Sequence, residues 1–232
     1  MNILKGIIEM ELFSGPKYMI KRFFFTLLGK PIISKYKSYY EYHNFPFDIN
    51  QPMSKSAYVN LKEVATIIND CDLKYTIGWG TLLGHIRDNQ FIEHDTDIDI
   101  DLSEDQYNPV KYKQLISGMG VRGYKIGRIV TRYNVIQQIT FYEAKSKVVI
   151  DIVVWHDEQN DQSRSYCERG QVLTLPSIIF SQRDTININD FTVFAPTQAQ
   201  DYLKMIYGPT WMTPLKVKAD WKENCGILEK LE

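Results

Sequence analysis

The amino-acid sequence predicts a mixed α/β domain, with a mixed β-sheet flanked by helices. Apolar residues recur at helical spacing between residues 54 and 70, which indicates an amphipathic helix. Aspartate and aliphatic residues alternate over 95–102, which indicates a strand buried on one face. β-branched and aromatic runs follow near 124–131, 134–143 and 147–155. Such a mixture of helices and strands in one chain predicts this fold class.

The first half of the chain alternates strands and helices. Gly80 separates the first strand from the helix that follows it, and Gly118 and Gly120 are expected to end the next helix. In chain order the predicted elements are a strand over 74–78, a helix over 81–89, a strand over 96–102 and a helix over 109–117.

The second half begins with strands. The runs over 134–143 and 147–155 are separated by a short polar segment and predict a hairpin, which would carry Asp151 beside the aspartate strand. Residues 156–171 are polar and predict a loop near the mouth of a site. A helix over 197–207 is expected to close the domain, because glycine and proline follow it.

The aspartate run is the most informative feature of the chain. Successive side chains of a strand point to opposite faces, so its four aspartates share one face and its aliphatic residues share the other. Like charges along one face repel each other, and aspartate is a poor strand residue. A divalent cation such as Mg²⁺ or Mn²⁺ would compensate that charge, since it prefers carboxylate oxygens. The alternative is a solvated sheet edge that blocks aggregation. The aspartates are Asp95, Asp97, Asp99 and Asp101.

A candidate phosphate site precedes this strand. The short β-rich run ending at Gly80 leads into a helix, and backbone N–H groups at a helix N-terminus bind phosphate readily. Gly80 would let a phosphate approach the backbone, and Thr81 would cap the helix or donate its hydroxyl. Arg87 lies about two turns along that helix, within reach of the same cleft.

Asp151 is a lone charge inside the β-branched run 148–155. A carboxylate in such a position is normally buried only when it is paired or bound to a metal. Two interpretations therefore stay open, a metal ligand beside the aspartate strand and a buried aspartate paired to Arg or Lys.

Two motifs resemble the LicD/fukutin family of nucleotidyltransferase-fold proteins. They are Gly80-Thr81-Leu-Leu-Gly-x-x-Arg87 with the following Asp95-x-Asp97-Ile-Asp99, and the C-terminal Tyr-Leu, Tyr207-Gly and Trp211 segment. The resemblance implies that Asp151 is the third carboxylate of the family. It implies metal ligation by Asp97, Asp99 and Asp151, with Asp95 or Asp151 as the general base. For Tyr207 and Trp211, core packing and substrate contact are both open.

The resemblance also implies an activity. Such enzymes transfer phosphocholine, ribitol phosphate or a similar phospho-alcohol from a CDP-activated donor to a sugar hydroxyl of a cell-surface glycan, and release CMP. Two alternatives stay open: a conventional nucleotidyltransferase that moves NMP from an NTP, and a catalytically silent glycan-binding or assembly subunit. Retention of all the expected carboxylates argues against the silent subunit, because such a subunit has no need to hold like charges together.

Composition narrows the class further. The chain has 232 residues, of which 44% are hydrophobic and 24% charged, as expected of a globular protein. Its net charge of −1 argues against a dedicated nucleic-acid binder. Its three cysteines are widely spaced, which predicts reduced thiols in a cytoplasmic protein rather than a disulfide framework.

Residues 1–50 are predicted to form a basic, aromatic-rich helical extension, and residues 51–232 the catalytic domain. Basic residues outnumber acidic ones within 1–37, with aromatic and aliphatic residues between them. We expect this segment either to pack on protein or to lie on an anionic membrane as a peripheral contact. Neither a transmembrane helix nor a signal peptide is expected from the sequence.

Overall fold

The structure is a computed structural model that describes residues 39–104, 108–132, 135–158, 161–166, 171–214, 225 and 227–230. Five helices lie in these ranges. They are α1 (Ala57–Asp70), α2 (Trp79–Asp88), α3 (Pro109–Val121), α4 (Ile178–Ser181) and α5 (Ala199–Tyr207).

Eleven strands lie in the same ranges. They are β1 (Tyr39–His43), β2 (Tyr75–Ile77), β3 (Asp97–Glu104), β4 (Tyr124–Arg132), β5 (Val135–Glu143), β6 (Val148–Glu158), β7 (Gln162–Tyr166), β8 (Gln171–Pro176), β9 (Arg183–Ile188), β10 (Phe191–Pro196) and β11 (Leu228–Lys230).

Nine of these strands form one mixed sheet among the described residues. Its main path runs β1-β4-β5-β6-β7-β8-β11, with antiparallel neighbours throughout. Strand β3 branches from this path by pairing with β6 in parallel, and β2 pairs with β3 antiparallel. Strands β9 and β10 form a separate hairpin. The observed architecture is the mixed sheet flanked by helices that the sequence predicts.

The sheet has one aliphatic face and one mixed face around β3 and β6. Ile98, Ile100 and Leu102 are fully buried on the first face, together with the alternate residues of β6. Helix α1 lies on this side, because Asn60 accepts a 2.7 Å hydrogen bond from the Tyr124 hydroxyl of β4, and Tyr124 shares its face with the buried residues through the β4–β5–β6 register. Helices α2 and α5 lie over the aspartate face, as their contacts with Asp101 demonstrate.

Most predicted elements are confirmed, but some segments differ from the prediction. The prediction of a loop over 156–171 is wrong, because β6 continues to Glu158 and β7 occupies Gln162–Tyr166. The polar sequence disguises this strand, since Ser163 and Ser165 are buried through hydrogen bonds to Asp157 and the Gln137 carbonyl. Helix α3 also continues to Val121 beyond both glycines that were expected to stop it.

The N-terminal prediction falls mostly on residues 1–38, which lie outside the described residues, as does the predicted membrane contact of 1–37. The described part of the 1–50 segment is not helical, because residues 39–43 form β1 and pair with β4. None of the helices in the described ranges is long and apolar enough to span a membrane.

Candidate active site

Four polar residues form a row across the middle of the sheet. Asp99 of β3 is the register partner of Asp151 on β6, Asp151 is the partner of Thr140 on β5, and Thr140 is the partner of Arg128 on β4. Register partners point to the same face of a sheet. The row therefore places two carboxylates, a hydroxyl and a guanidinium side by side on the aspartate face.

A bulge in β4 brings Arg128 into this row. Ile126 pairs with Phe141, whereas Arg128 pairs with Thr140, so Gly127 is the extra residue between them. A bulge of this kind switches the face to which the following side chains point. Ile126 consequently packs on the core while Arg128 joins the aspartate face. A side chain at Gly127 would overlap the Phe45 ring, so glycine fits where the two segments are close.

Asp151 is surrounded by hydrogen-bond donors. Gln138 Nε2 lies 2.7 Å and Arg128 Nη2 3.0 Å from its Oδ2, and the Thr140 hydroxyl lies 2.7 Å from its Oδ1. Arg128 Nε also donates to Thr140 at 3.2 Å. Of the two interpretations of Asp151 that the sequence left open, this arrangement matches the aspartate paired to arginine. Arg128, Gln138 and Thr140 were not identified from the sequence; polar side chains within the apolar strands β4 and β5 were the available signal.

The other carboxylates of the cluster face each other. Burial, together with the negative charges of Asp97, Asp95 and Asp151, raises the pKa of the Asp99 carboxyl well above its ordinary value. Local hydrogen bonds orient the group, because the Thr96 backbone donates to Asp95 at 3.0 Å and the Thr96 hydroxyl to Asp97 at 3.2 Å. Charged groups repel one another in this way only when they are close together. The structure therefore brings together all four predicted catalytic carboxylates.

Close packing joins the start of α2 to the aspartate strand. A side chain at Gly80 would overlap the Asp95 carboxylate and crowd that of Asp99, so only glycine lets both groups approach the backbone. Thr81 is fully buried and forms a reciprocal pair with Asp99: the Thr81 backbone N–H donates to Asp99 Oδ2 at 3.3 Å, and the Thr81 hydroxyl accepts from the Asp99 N–H at 2.9 Å. Thr81 therefore fixes the carboxylate, and its hydroxyl is directed at the protein.

Asp101 differs from its neighbours on the strand because it is fully buried and accepts three hydrogen bonds. Trp79 Nε1, Trp155 Nε1 and the Tyr202 hydroxyl lie 3.2, 2.8 and 2.6 Å from its oxygens. Burial raises the pKa of this carboxyl to about 6, against the opposing effect of those donors. Asp101 consequently connects α2, β3, β6 and α5 instead of joining the exposed part of the cluster.

Two tyrosines of α5 approach the site from above. The Tyr202 hydroxyl, besides donating to Asp101, accepts the Trp79 backbone N–H at 3.1 Å and so supports a residue held at φ 45°. Burial and the charges of Asp99, Asp95 and Asp97 raise the pKa of Tyr207 well above its ordinary value. Tyr207 is therefore close to the carboxylate cluster, and its contact with substrate stays a prediction.

Arg87 and Trp211 are not brought to the cluster by any contact within the described ranges. Arg87 Nε and Nη2 donate to the adjacent Asp88 at 2.9 and 2.7 Å. Trp211 is half-buried against the core. Their predicted roles in binding phosphate and substrate stay predictions.

The residues present fit a divalent cation in part. Asp97 and Asp99 offer hard carboxylate oxygens on one face, which is the donor chemistry that Mg²⁺ and Mn²⁺ prefer. Asp151 fits less well, because its oxygens already accept from three protein donors. Among the described residues no three His, Cys, Asp or Glu side chains are arranged to hold a metal ion together. Metal ligation by Asp97, Asp99 and Asp151 together therefore stays a prediction.

Comparison with known proteins identifies the family. Residues 72–198, more than half of the chain, match the family model described as LicD/FKTN/FKRP, nucleotidyltransferase domain. The chain belongs to the LicD family. The match begins before β2 and ends beyond β10, so it contains the whole polar row and the aspartate strand.

Individual relatives of this LicD-family chain are distant. Ribitol-5-phosphate transferase FKTN of Mus musculus is 22% identical over 171 residues, which cover 71% of this chain and 34% of FKTN. The chain therefore spans about a third of the length of that curated relative. The crystal structure of the lincosamide antibiotic adenylyltransferase LnuA, lincomycin-bound, has a TM-score of 0.42 and 14% identity, covering 63% of this chain and 82% of that chain.

Proposed function

We propose that this protein transfers a phospho-alcohol group, such as ribitol phosphate or phosphocholine, from a CDP-activated donor to a sugar hydroxyl of a cell-surface glycan and releases CMP. The observation that carries the proposal is the row that sets Asp99 beside Asp151 within the LicD-family segment. Support for the reaction class comes from the mouse relative, whose name describes a ribitol-5-phosphate transferase.

Asp97 and Asp99 are the proposed ligands of one Mg²⁺ or Mn²⁺ ion. Such an ion, when bound, neutralises charge on the bridging phosphates of the donor. Thr81 keeps the Asp99 carboxylate in place through its backbone N–H, and Gly80 leaves room for it beside Asp95. These contacts support a preorganised site, which lowers the cost of gathering like charges around the donor.

The remaining residues would orient the acceptor and move its proton. The sugar hydroxyl oxygen forms a bond to the phosphorus of the phospho-alcohol, and the phosphorus–oxygen bond to CMP breaks, with the electron pair leaving on CMP. The hydroxyl proton passes to a carboxylate. Asp95 is the better base because the oxygens of Asp151 are already held by three donors. Tyr207, which lies near the cluster, would contact the reacting phosphate or sugar.

A conventional nucleotidyltransferase reaction is the second candidate, since the matching family model is described as a nucleotidyltransferase domain. In that reaction an NTP would donate NMP and release pyrophosphate. The carboxylates would have the same roles, so the identity of the released product separates the two reactions.

The test is donor cleavage with purified protein, with EDTA or with Mg²⁺ or Mn²⁺. CDP-choline, CDP-ribitol, CDP-glycerol, CTP and ATP are supplied with and without candidate glycans, and products are measured by mass spectrometry. Metal-dependent CMP from one CDP-alcohol is the expected result. Pyrophosphate from an NTP would establish the second candidate, and no product from any donor in the presence of the glycans would contradict both. Asp184→Asn, at an exposed position on β9, is the matched control for Asp99→Asn.

A further inference from the structure

The Arg128 side chain reaches back along the row toward the carboxylates. Its Nε lies 3.2 Å from the Thr140 hydroxyl and its Nη2 lies 3.0 Å from Asp151 Oδ2. Neighbouring strands are about 4.8 Å apart, so the guanidinium has crossed from β4 to the β6 position. Asp99 is the register partner of Asp151 on the next strand, so the guanidinium contacts the residue that lies directly beside Asp99 in the row.

Arg128 and Asp151 form a shielded ion pair. Their side chains are 12% and 15% exposed, so solvent screens the pair only weakly. Burying one of these charges without the other would be costly. Gln138 and Thr140 supply further hydrogen bonds to the carboxylate, as a buried ion pair requires if it is to be tolerated. The Arg128–Asp151 ion pair is therefore a specific structural feature of the aspartate face.

The position suits an anionic ligand. A guanidinium offers five N–H donors in a planar fork that matches phosphate oxygens. Arg87, the arginine predicted from the sequence to bind phosphate, pairs with the adjacent Asp88, and no contact within the described ranges brings it to the carboxylate cluster. Arg128 lies in the polar row with Asp99, where a phosphate group held near Asp97 and Asp99 would be within reach.

We propose that Arg128 binds the phosphate groups of the donor, and that Asp151 is its counter-ion and positioning residue instead of a metal ligand. The proposal deepens the proposed function and rests on it in one respect, that the substrate is a nucleoside diphosphate derivative. It revises the prediction that three carboxylates hold the metal: Asp97 and Asp99 hold it, and Asp151 fixes the guanidinium.

The first test needs no substrate or metal. Thermal unfolding is measured in EDTA for Asp99→Asn, Asp151→Asn, Arg128→Met and the Arg128→Met/Asp151→Asn double variant, with Arg122→Met as the control for a solvent-exposed pair with Glu63. Asp151→Asn should lower Tm by about 4–8 °C, because Arg128 loses its counter-ion. Asp99→Asn should leave Tm unchanged or raise it, because like charges are relieved. The decrease in Tm of the double variant should be smaller than the sum of the decreases in the two single variants. A Tm increase in Asp151→Asn would overturn the pairing.

The second test separates metal binding from phosphate binding. Binding of Mn²⁺ is followed by electron paramagnetic resonance, and binding of CDP in the presence of Mg²⁺ by calorimetry. Asp151→Asn should keep Mn²⁺ affinity within about threefold of the wild type, whereas Asp99→Asn should lose more than about tenfold. Arg128→Met should weaken CDP binding more than about tenfold, Arg128→Lys should recover part of it, and Arg122→Met should not change it.

Each outcome points to one proposal. An equal loss of Mn²⁺ binding in Asp151→Asn and Asp99→Asn would overturn the assignment of Asp151 and leave the transferase reaction intact. Unchanged CDP affinity in Arg128→Met would overturn the role of Arg128. Absence of Mn²⁺ binding in the wild type would contradict the metal of the proposed function, and the thermal measurements would still decide the pairing.

Discussion

Asp99 and Asp151 are register partners in the parallel pairing of β3 with β6, yet their surroundings have opposite charge. Asp151 pairs with Arg128 at 3.0 Å, whereas Asp99 faces the carboxylates of Asp97 and Asp95. On one face of the sheet, the carboxylates of Asp95, Asp97 and Asp99 repel one another and are suited to binding a cation. The neutralised carboxylate of Asp151 lies directly beside them.

Removing one charge from the carboxylate cluster of Asp95, Asp97 and Asp99 should reduce activity without reducing stability. Asp97→Asn or Asp99→Asn should lower turnover at least about 100-fold, an effect typical of disturbing a metal centre, while the fold stays intact. Steady-state CMP release and urea unfolding in EDTA would measure the two effects. Asp184→Asn should change neither quantity, and retained activity in Asp99→Asn would refute the proposed metal site.

The glycine at the start of α2 should be intolerant of a side chain. Gly80→Ala would push a methyl group against the Asp95 and Asp99 carboxylates, so turnover should fall by more than about tenfold as the reacting groups are displaced. Gly120→Ala is the control, because nothing lies within 4 Å of the added atom, and it should stabilise α3 by about 0.5–1 kcal/mol. Equal activities in the two variants would show that the close packing at Gly80 is unimportant.

The two tyrosines of α5 should have different phenotypes. Tyr202→Phe removes a hydroxyl that bonds both Asp101 and the Trp79 backbone, so the free energy of unfolding should fall by about 2–3 kcal/mol. Tyr207→Phe removes a hydroxyl near the carboxylate cluster and should raise the donor or acceptor KM with a smaller loss of stability. Chemical unfolding and steady-state kinetics of both variants would test this, and a reversed pattern would refute the roles assigned here.

Histidine 85 should make the fold sensitive to mild acid. His85 Nδ1 lies 2.7 Å from the Thr81 carbonyl oxygen, and burial lowers the pKa of the imidazole. Below about pH 6.5 the imidazole therefore binds a proton more readily in the unfolded chain than in the folded protein. Stability consequently falls as the pH decreases through that value. The wild type should lose stability relative to His85→Gln between pH 7 and pH 5, as measured by urea unfolding. Parallel curves for the two proteins would contradict the prediction.

Local signals carried much of the prediction. Helical periodicity located α1, and the alternation of Asp97, Ile98, Asp99 and Ile100 located β3 with its two faces. The hairpin of β5 and β6, with Asp151 beside the aspartate strand, was also predicted correctly. These features depend on spacing within short segments, where the 3.6- and 2-residue periods determine which side chains share a face.

Other features depend on which segments meet. Strand β7 was predicted as a loop because its serines find their hydrogen-bond partners on other parts of the chain. The sequence prediction left Asp101 out of the metal ligands, but it did not identify the residues that contact Asp101. Asp101 is a buried acceptor because Trp79, Trp155 and Tyr202, which belong to three other elements, pack against it and donate hydrogen bonds.

The sequence by itself determined α1, the β5–β6 hairpin, the two faces of the aspartate strand and the resemblance to the LicD family, because each depends on local periodicity and motif spacing. Tertiary structure decided which carboxylate is paired with the Arg128 guanidinium. A one-residue bulge at Gly127 turns Arg128 to the aspartate face, and strand register then places it in line with Asp151. Such a pairing depends on the alignment of strands distant in sequence, and no local pattern specifies it.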